Sequence, residues 1–351
     1  MTASVRVTLR DIAIKFGCSR STVSLAMSDH PRIRPEVRRR IRELAEKMGY
    51  RPDPTLTMLA SNRFAAQTPA YRATLAYLVD TREAVPSRLY LQRRYLGPAK
   101  RRAELRGYQL SEFDLADYPS GQIASNVLYN RGVQGLIIPQ MARSAEPMLR
   151  ASGWNRFTAV SCMLGWVSTP FHVIRKDIFN DMRLLWREAV ARGYKRIGGA
   201  LFQHDPIAED DYARYGASIA EQRQLIPESQ RLPFLLCGPE DKEAFLEWVR
   251  RVEPDAIISF IETPREWLKS VGYRIPEDIA FACALVEPTF AHCAGVAALN
   301  DEVAYAAVDF LATQIHQNQR GIPEIQQTLL LEPQWNEGVT MPHVNALVAA
   351  K

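Results

Sequence analysis

Three residues near the start of the chain, Arg20, Ser21 and Leu25, have types and spacing suited to reading the edges of DNA bases. On a helix that begins at residue 20 they lie on the outer face, while the apolar residues nearby turn inward. The forked donors of an arginine match O6 and N7 of guanine. The spacing therefore predicts a helix that enters a DNA major groove.

A preceding helix and a tight turn would position that recognition helix. Thr8 can cap a first helix, and Asp11, three residues later, can return the bond. Gly17 supplies the left-handed residue that ends this helix, and Ser19 can cap the next one. Residues 8–28 are thus predicted to form a helix-turn-helix. The inner face of the first helix carries Leu9, Ile12, Ala13 and Phe16.

A third helix is predicted to begin at Pro35 and to end at Gly49. Its outer face carries Arg38, Arg39, Arg40 and Arg42. Such a run is either a solvated helix face or a set of contacts to DNA phosphates. Three-helix motifs also occur in adaptors that do not touch DNA, so the pattern alone leaves both interpretations open.

The segment from Val7 to Ala60 closely resembles the headpiece of the lactose repressor and galactose repressor family of bacterial transcription factors. The matching motifs are T-L-x-D-I-A, G-C-S-x-S-T-V-S and G-Y-R-P. The resemblance implies base contacts and phosphate contacts at specific positions. Leu25 departs from the polar residue often found at its position, which favours an apolar contact such as a thymine methyl group. The implied base readers are Arg20, Ser21 and Leu25, and the implied phosphate contacts are Thr8, Ser19, Thr22 and Arg38.

Residues 51–63 are predicted to form a hinge helix after the headpiece of residues 1–50. Asp53 is a suitable N-cap and Pro54 a suitable first residue, although so short a helix is marginal alone. In the resembling family this helix forms on operator DNA and wedges a leucine between base steps of the minor groove, a position that Leu59 occupies. The alternative is an ordinary linker with a buried leucine.

The basic charge is concentrated at the start of the chain. Of 351 residues with a net charge of +5, the first 63 hold 13 Lys+Arg against 6 Asp+Glu, and the rest hold 31 against 33. That distribution is typical of a nucleic-acid-binding module attached to a neutral body. The chain has neither a signal-peptide core nor a long apolar run, which predicts a cytoplasmic location and no membrane contact. Its five scattered cysteines predict no disulfide and no metal site.

Residues 72–340 alternate between aliphatic strands and amphipathic helices, which predicts an α/β body with parallel sheets. The number of strands favours two lobes. Strands are predicted at residues 74–79, 135–138, 157–161, 196–201, 234–236, 256–260 and 279–284, and helices at 99–106, 179–191, 212–222, 242–250 and 264–271.

The body resembles, more loosely, the periplasmic-binding-protein type of effector domain. The matching segments are GVQGLIIPQ, ARGYKRIGGAL, EPDAIISF and GYRIPEDIAF. The resemblance implies two lobes around a ligand cleft, joined by three chain crossings near residues 167–172, 296–300 and 325–329. Ligands of such sheets bind beyond the carboxyl ends of the strands.

Six residues are candidates for contacting an effector in that cleft: Arg214, Asp80, Tyr90, Trp166, Asp177 and Glu262. Arg214 matches the family arginine that holds effector hydroxyls or carboxylates, a role suited to a planar guanidinium. Two segments depart from the family pattern, Phe260-Ile261-Glu262-Thr263 and Ala284-Leu285-Val286-Glu287. These departures put an ordinary sugar effector in question.

Three functions remain open. The first is a dimeric transcriptional regulator, expected to be a repressor, that binds a pseudo-palindromic operator and responds to a small, carbohydrate-like effector. The second is a DNA-binding regulator whose cleft holds no ligand and which responds to a protein partner. The third is a sugar-binding protein with a vestigial headpiece, against which the intact caps argue. The chain lacks enzyme motifs, and no cofactor is predicted.

Overall fold

The computed structural model describes residues 7–27, 33–48, 50, 73–83, 86–162, 169–205, 207–238 and 240–349. The headpiece and the body are separate compact units. In the headpiece, α1 spans Leu9–Phe16, α2 spans Arg20–Met27 and α3 spans Pro35–Lys47. The predicted hinge of residues 51–63, with Leu59, and the cleft candidate Trp166 lie outside the described residues.

The local sequence explains where the headpiece helices begin and end. Thr8 and Asp11 form the predicted capping box, in which the Asp11 carboxylate accepts from the Thr8 backbone N–H at 2.8 Å. Gly17 ends α1 in the left-handed region, with φ at 76°. The Ser19 hydroxyl accepts from the Thr22 backbone N–H at 3.1 Å at the start of α2. Six buried residues then form the core of the three helices: Ile12, Ala13, Val23, Ala26, Ile41 and Ala45.

The body is a succession of strands and helices, as predicted. Its strands are β1 Ala73–Val79, β2 Tyr108–Asp114, β3 Val133–Ile138, β4 Thr158–Cys162, β5 His172–Lys176, β6 Ile197–Phe202, β7 Leu235–Cys237, β8 Ala256–Ser259, β9 Ala280–Val286, β10 Ala294–Ala297, β11 Thr328–Leu331 and β12 Trp335–Asn336. Its helices are α4 Pro86–Arg93, α5 Leu96–Leu105, α6 Gly121–Asn130, α7 Glu146–Leu149, α8 Ile178–Ala191, α9 Glu209–Leu225, α10 Lys242–Val252, α11 Thr263–Ser270, α12 Asn300–His316 and α13 Val344–Ala349.

The strands form two six-stranded sheets, each the centre of one lobe. Lobe 1 has the order β11-β5-β4-β3-β1-β2, and all its pairs are parallel. Lobe 2 has the order β12-β10-β9-β8-β6-β7, and only the β10–β12 pair among these is antiparallel. Helix α8 covers one face of the second sheet with Met182, Leu185 and Trp186, and α10 covers the other with Phe245 and Trp248. The predicted two-lobed α/β fold is therefore confirmed.

Two of the three predicted crossings between the lobes are wrong. The first was expected before His172, but residues His172–Lys176 form β5 of lobe 1, so the chain crosses after Lys176. The third was expected at residues 325–329, but Thr328–Leu331 is β11 of lobe 1, and the chain crosses between β11 and β12. Both strands are short, and they pair with each other although they are far apart in the sequence, which local patterns do not reveal. The second crossing, between β10 and α12, lies where it was expected.

Helix α12 is attached to lobe 1 by a charge cluster. Asp309 accepts from Arg102 Nε at 2.8 Å and from Arg106 Nε at 2.7 Å, both on α5. Burial acts to raise the pKa of Asp309, but the hydrogen bonds and charges of the two arginines outweigh it and lower that pKa to about 2. The ionised carboxylate therefore stabilises the folded state.

Asp309→Asn is expected to lower the free energy of unfolding at neutral pH by about 1 kcal/mol or less, since the cluster is partly exposed. Because the folded pKa lies below the unfolded one, the contribution is complete above about pH 4 and is lost as the pH falls toward 2. Urea denaturation between pH 7 and pH 3 checks this. Asp301→Asn on the same helix, whose pair with Arg101 is more exposed, serves as control. A difference between wild type and Asp309→Asn that is independent of pH would contradict the prediction.

No helix in the described part of the chain is long and apolar enough to span a membrane. All five cysteines are free thiols, and four of them are buried. Cys283 and Cys293 lie close together in lobe 2, with 3.9 Å between their Sγ atoms.

Candidate functional site

Helix α2 presents an exposed polar surface at its amino-terminal end. Arg20 and Ser21 are exposed, and Leu25, one turn later, is partly buried. The Ser19 hydroxyl lies 2.8 Å from the Ser21 hydroxyl and 2.8 Å from the Thr22 hydroxyl. Three hydroxyls and the backbone N–H groups of a helix start therefore share one surface, an arrangement that suits an anion such as a phosphate.

The arginines of the headpiece differ in how they are held. Within the described residues, no carboxylate pairs with Arg20, so its guanidinium is available to a partner. On α3, Arg39 lies 3.4 Å from Glu43, and Arg40 stacks over the Phe16 ring at 5.6 Å. Arg38 is partly buried on the same helix. Among these arginines, a base-reading role suits Arg20 best, because no ion pair with a described residue competes with DNA for its side chain.

The second candidate site is the cleft between the carboxyl ends of the two sheets of the body. Two side chains at the end of β5 in lobe 1 reach lobe 2. Arg175 donates to the Asp210 carboxylate on α9 at 2.9 Å. Lys176 donates to the Ala284 carbonyl on β9 at 3.2 Å and lies 3.0 Å from Asp181 on α8. The cleft is therefore bridged by charged residues that no sequence pattern had indicated.

Among the predicted effector residues, Arg214 on α9 is already engaged within the chain. It is only 1% exposed, pairs with Asp211 and stacks over the Phe260 ring at 3.9 Å. Asp211 also lies 2.9 Å from His204 Nδ1. Burial raises the pKa of Asp211, but the His204 hydrogen bond and the Arg214 charge outweigh it and lower that pKa. The buried guanidinium is thus balanced by a carboxylate that stays ionised.

Three other predicted effector residues also have partners within the chain. Asp80 accepts from Arg82 at 2.7 and 2.8 Å. Asp177 caps α8 by accepting from the Asn180 backbone N–H at 3.0 Å. Glu262 pairs with Arg265. The remaining described candidate, Tyr90, is an exposed side chain on α4.

Burial strongly affects the charged groups at the end of β5. It raises the pKa of Asp181 to about 6, against the opposing charge of Lys176. Burial likewise raises the pKa of Asp210, which Arg214 and Arg175 partly offset. Burial lowers the pKa of Lys176. Perturbed groups of this kind cluster at ligand sites and at structural ion networks alike.

Sequence reasoning missed Arg175, Lys176 and Asp210 as residues of the cleft. Arg175 and Lys176 follow directly from assigning β5, because residues at the carboxyl end of a parallel strand face the cleft. Asp210 lies one residue before Asp211 at the start of α9, and only the fold brings it to Arg175.

Residues 8–53 match the family model of bacterial regulatory proteins, lacI family. None of the curated protein sequences compared with the chain matches it. Several solved structures share its fold. One is the transcriptional regulator CelR bound to cellobiose, with a TM-score of 0.56, 16% identity and 95% of this chain and 100% of that chain covered.

A second similar structure is the lac repressor dimer bound to operator and the anti-inducer ONPF, with a TM-score of 0.54, 17% identity, and 96% and 100% of the two chains covered. A third is a LacI family transcriptional regulator from Enterococcus faecium with bound ribose, with a TM-score of 0.55, 13% identity, and 77% and 99% covered. At these identities the likeness establishes the two-lobed fold of the body.

Proposed function

Because this chain carries a lacI-family DNA-binding domain on a body with the fold of LacI-family regulators, we propose that it is a sequence-specific transcriptional repressor controlled by a small molecule. The observation that carries the proposal is the exposed Arg20 at the capped start of α2, which forms an ion pair with none of the described residues. In this proposal Arg20, Ser21 and Leu25 contact bases, and Thr8, Ser19, Thr22 and Arg38 contact phosphates.

We propose that two copies bind one pseudo-palindromic operator, since one recognition helix reads only a half-site. The lac repressor structure is a dimer on its operator, which supports this arrangement. Sedimentation of the protein with a labelled duplex that it selects tests the proposal. Two chains per duplex are expected, and one chain per duplex would contradict it.

Control by a ligand requires that the effector bind the DNA-competent and DNA-incompetent states with different affinities. The cleft between the lobes is the proposed site, and the bound cellobiose and ribose of the similar structures support a small polar effector. An effector should raise the melting temperature and also change the affinity for the operator. A compound that changes only the melting temperature is a ligand without a regulatory role.

A second function is favoured by the internal partners of the predicted effector residues. Arg214, Asp80, Asp177 and Glu262 are all engaged within the chain. This arrangement favours a DNA-binding regulator whose cleft takes no ligand and which responds to a protein partner. If no compound from a broad panel raises the melting temperature while operator binding is intact, the second function is the better one.

Leu59→Ala is expected to remove a kink on the order of 20–90° from the bound operator while leaving nonspecific binding nearly unchanged, because an apolar wedge unstacks one base step. Energy transfer between dyes at the two ends of the duplex measures the bend. Leu56→Ala, in the same segment, is the matched control. If Leu59→Ala bends the operator as the wild type does, Leu59 belongs to an ordinary linker.

A further inference from the structure

Two buried cysteines of lobe 2 have their sulfur atoms in contact. The Sγ atoms of Cys283 and Cys293 are 3.9 Å apart, and both side chains are 0% exposed. Cys283 lies on β9 in register with Gly295 of β10, and Cys293 lies two residues before that glycine. Both cysteines pack into the same apolar cluster. Because Gly295 has no side chain, it leaves room for the two sulfur atoms to meet diagonally across the strand pair.

This pair differs from the other thiols of the chain. All five cysteines lie in the described ranges, and among them only Cys283 and Cys293 have thiols in contact. Cys162 and Cys237 are also buried, and burial raises the pKa of each to about 12. A cysteine that only fills space in a core needs no thiol neighbour. The pair in lobe 2 therefore has a reaction available that the other thiols lack, the closure of a disulfide.

The fold requires little movement for that bond. The two sulfur atoms must approach from 3.9 Å to about 2 Å, which rotation about the Cα–Cβ bonds of the two cysteines can supply. The strands β9 and β10 are already paired, so the sheet does not have to separate. The bond would close a short loop that holds only residues 284–292. The folded chain thus brings the two thiols together for a local bond.

Cys293 is the thiol that an oxidant can reach. Five consecutive exposed residues, 288–292, precede it, and hydrogen bonds from Asn336 and Val339 hold this loop to the lobe. Local opening of an exposed loop uncovers Cys293 without unfolding β9. The contact with Cys283 lowers the pKa of the Cys293 thiol, whereas the same contact and burial raise the pKa of Cys283. Because the thiolate is the reactive form, Cys293 is the better nucleophile.

We propose that Cys283 and Cys293 form a site of reversible oxidation, at which hydrogen peroxide joins them in a disulfide. The Cys293 thiolate attacks one oxygen of the peroxide, breaks the O–O bond and becomes a sulfenic acid as hydroxide leaves. The Cys283 sulfur then attacks the sulfenic sulfur, so the S–S bond forms and the S–O bond breaks. The departing hydroxide takes the Cys283 proton as water. Two thiols and one peroxide give one disulfide and two waters, and two electrons pass from sulfur to oxygen.

The disulfide would join the two strands of lobe 2 that lead to the second crossing. Strand β9 ends at Val286, and the next residue, Glu287, accepts from Asn300 Nδ2 at 2.7 Å at the start of α12. Strand β10 runs directly into the same crossing. Oxidation therefore restricts movement of β9 against β10 beside the connection between the lobes. The inference does not depend on what the cleft binds.

Peptide masses after oxidation of the native protein test the proposal. Trypsin cuts after Arg274 and Arg320 and nowhere between them, so residues 275–320 form one peptide, whose only cysteines are Cys283 and Cys293. After treatment with hydrogen peroxide, unfolding and alkylation with iodoacetamide, most of this peptide is expected to lack both alkyl groups. It should be lighter than the reduced peptide by two hydrogen atoms. Dithiothreitol added before alkylation should restore both alkyl groups.

Three variants assign the roles of the two thiols. Cys283→Ala is expected to stop at the sulfenic acid of Cys293, which dimedone labels, because the second thiol is removed. Cys293→Ala should leave Cys283 reduced. Cys237→Ala, which removes a buried thiol of the same lobe, should form the disulfide as the wild type does. In the oxidised wild type, Cys162 and Cys237 should still be alkylated, since both are buried without a thiol neighbour.

A 275–320 peptide that keeps both alkyl groups would overturn the proposal. So would a peptide that carries added oxygen in place of the disulfide, and the peptide contains no methionine that could take up that oxygen. A disulfide that forms only when Cys162 and Cys237 also lose their alkyl groups would arise from unfolded chains and would contradict the proposal as well. Dimedone labelling of Cys283 in Cys293→Ala, without labelling of Cys293 in Cys283→Ala, would overturn the assignment of Cys293 as the attacking thiol.

Discussion

Arg20→Ala is expected to weaken binding to the selected operator by about 1–3 kcal/mol, which is about 5- to 150-fold, and to relax the preference at one base pair of each half-site. The reason is geometric. Arg20 is exposed at the capped start of α2, where side chains of a recognition helix contact base edges. Titration of labelled duplexes that carry each base at that position, at one stated salt concentration, measures both effects.

Two further variants separate base reading from charge. Arg20→Lys keeps the charge but loses the fork, so it should lose the base preference while the salt dependence of binding stays near that of the wild type. Arg39→Ala removes an arginine that is 69% exposed on α3. It should weaken binding to all DNA sequences about equally. If Arg20→Ala also weakens all sequences equally, Arg20 is a phosphate contact and the assignment fails.

Arg214→Met is expected to lower the free energy of unfolding of the body by about 3–5 kcal/mol, because it leaves a buried carboxylate without its cation. Arg214 is 1% exposed, and Asp211 is 8% exposed beside it. Methionine has a similar length and fills the space over Phe260 without the charge. Urea denaturation followed by tryptophan fluorescence, with Trp186 and Trp248 buried in the same lobe, reports the change.

The control for that prediction is Arg223→Met, which replaces an exposed arginine of the same helix. It should change the free energy of unfolding by about 0.5 kcal/mol or less. The double variant Arg214→Met with Asp211→Asn should recover part of the loss, since the unpaired charge is removed as well. If Arg214→Met lowers the free energy of unfolding by less than about 1 kcal/mol, the pair of Arg214 and Asp211 is not buried as described. Arg214 would then be free for an effector.

The headpiece was predictable because its structure is specified by neighbouring residues. The capping box of Thr8 and Asp11, the left-handed Gly17 and the Ser19 cap all act within four residues, so their spacing alone indicates them. The sequence also predicts the arginine face of α3, but it does not predict which of these arginines have a partner within the chain. The Arg40 contact with Phe16 depends on how α3 packs against α1.

The cleft was predictable only in outline. Strand ends and family motifs indicate Asp80, Asp177 and Arg214, but the partners of these residues within the chain depend on the fold. Arg175 and Asp210 are 35 residues apart, and Lys176 and Ala284 are 108 apart. Contacts over such separations arise from the topology of the two sheets. Because the sequence places the first crossing before His172, it does not predict strand β5 or the residues at its carboxyl end.

The most direct measurement is selection of bound duplexes from a random DNA pool by the purified protein at one stated salt concentration. A dimeric, base-reading headpiece should select a pseudo-palindrome whose half-sites contain a guanine that depends on Arg20, with a flexible pyrimidine–purine step at the centre. Recovery of duplexes without a shared motif would mean that the headpiece binds only the phosphate backbone, and it would contradict the proposal that this chain is a sequence-specific repressor.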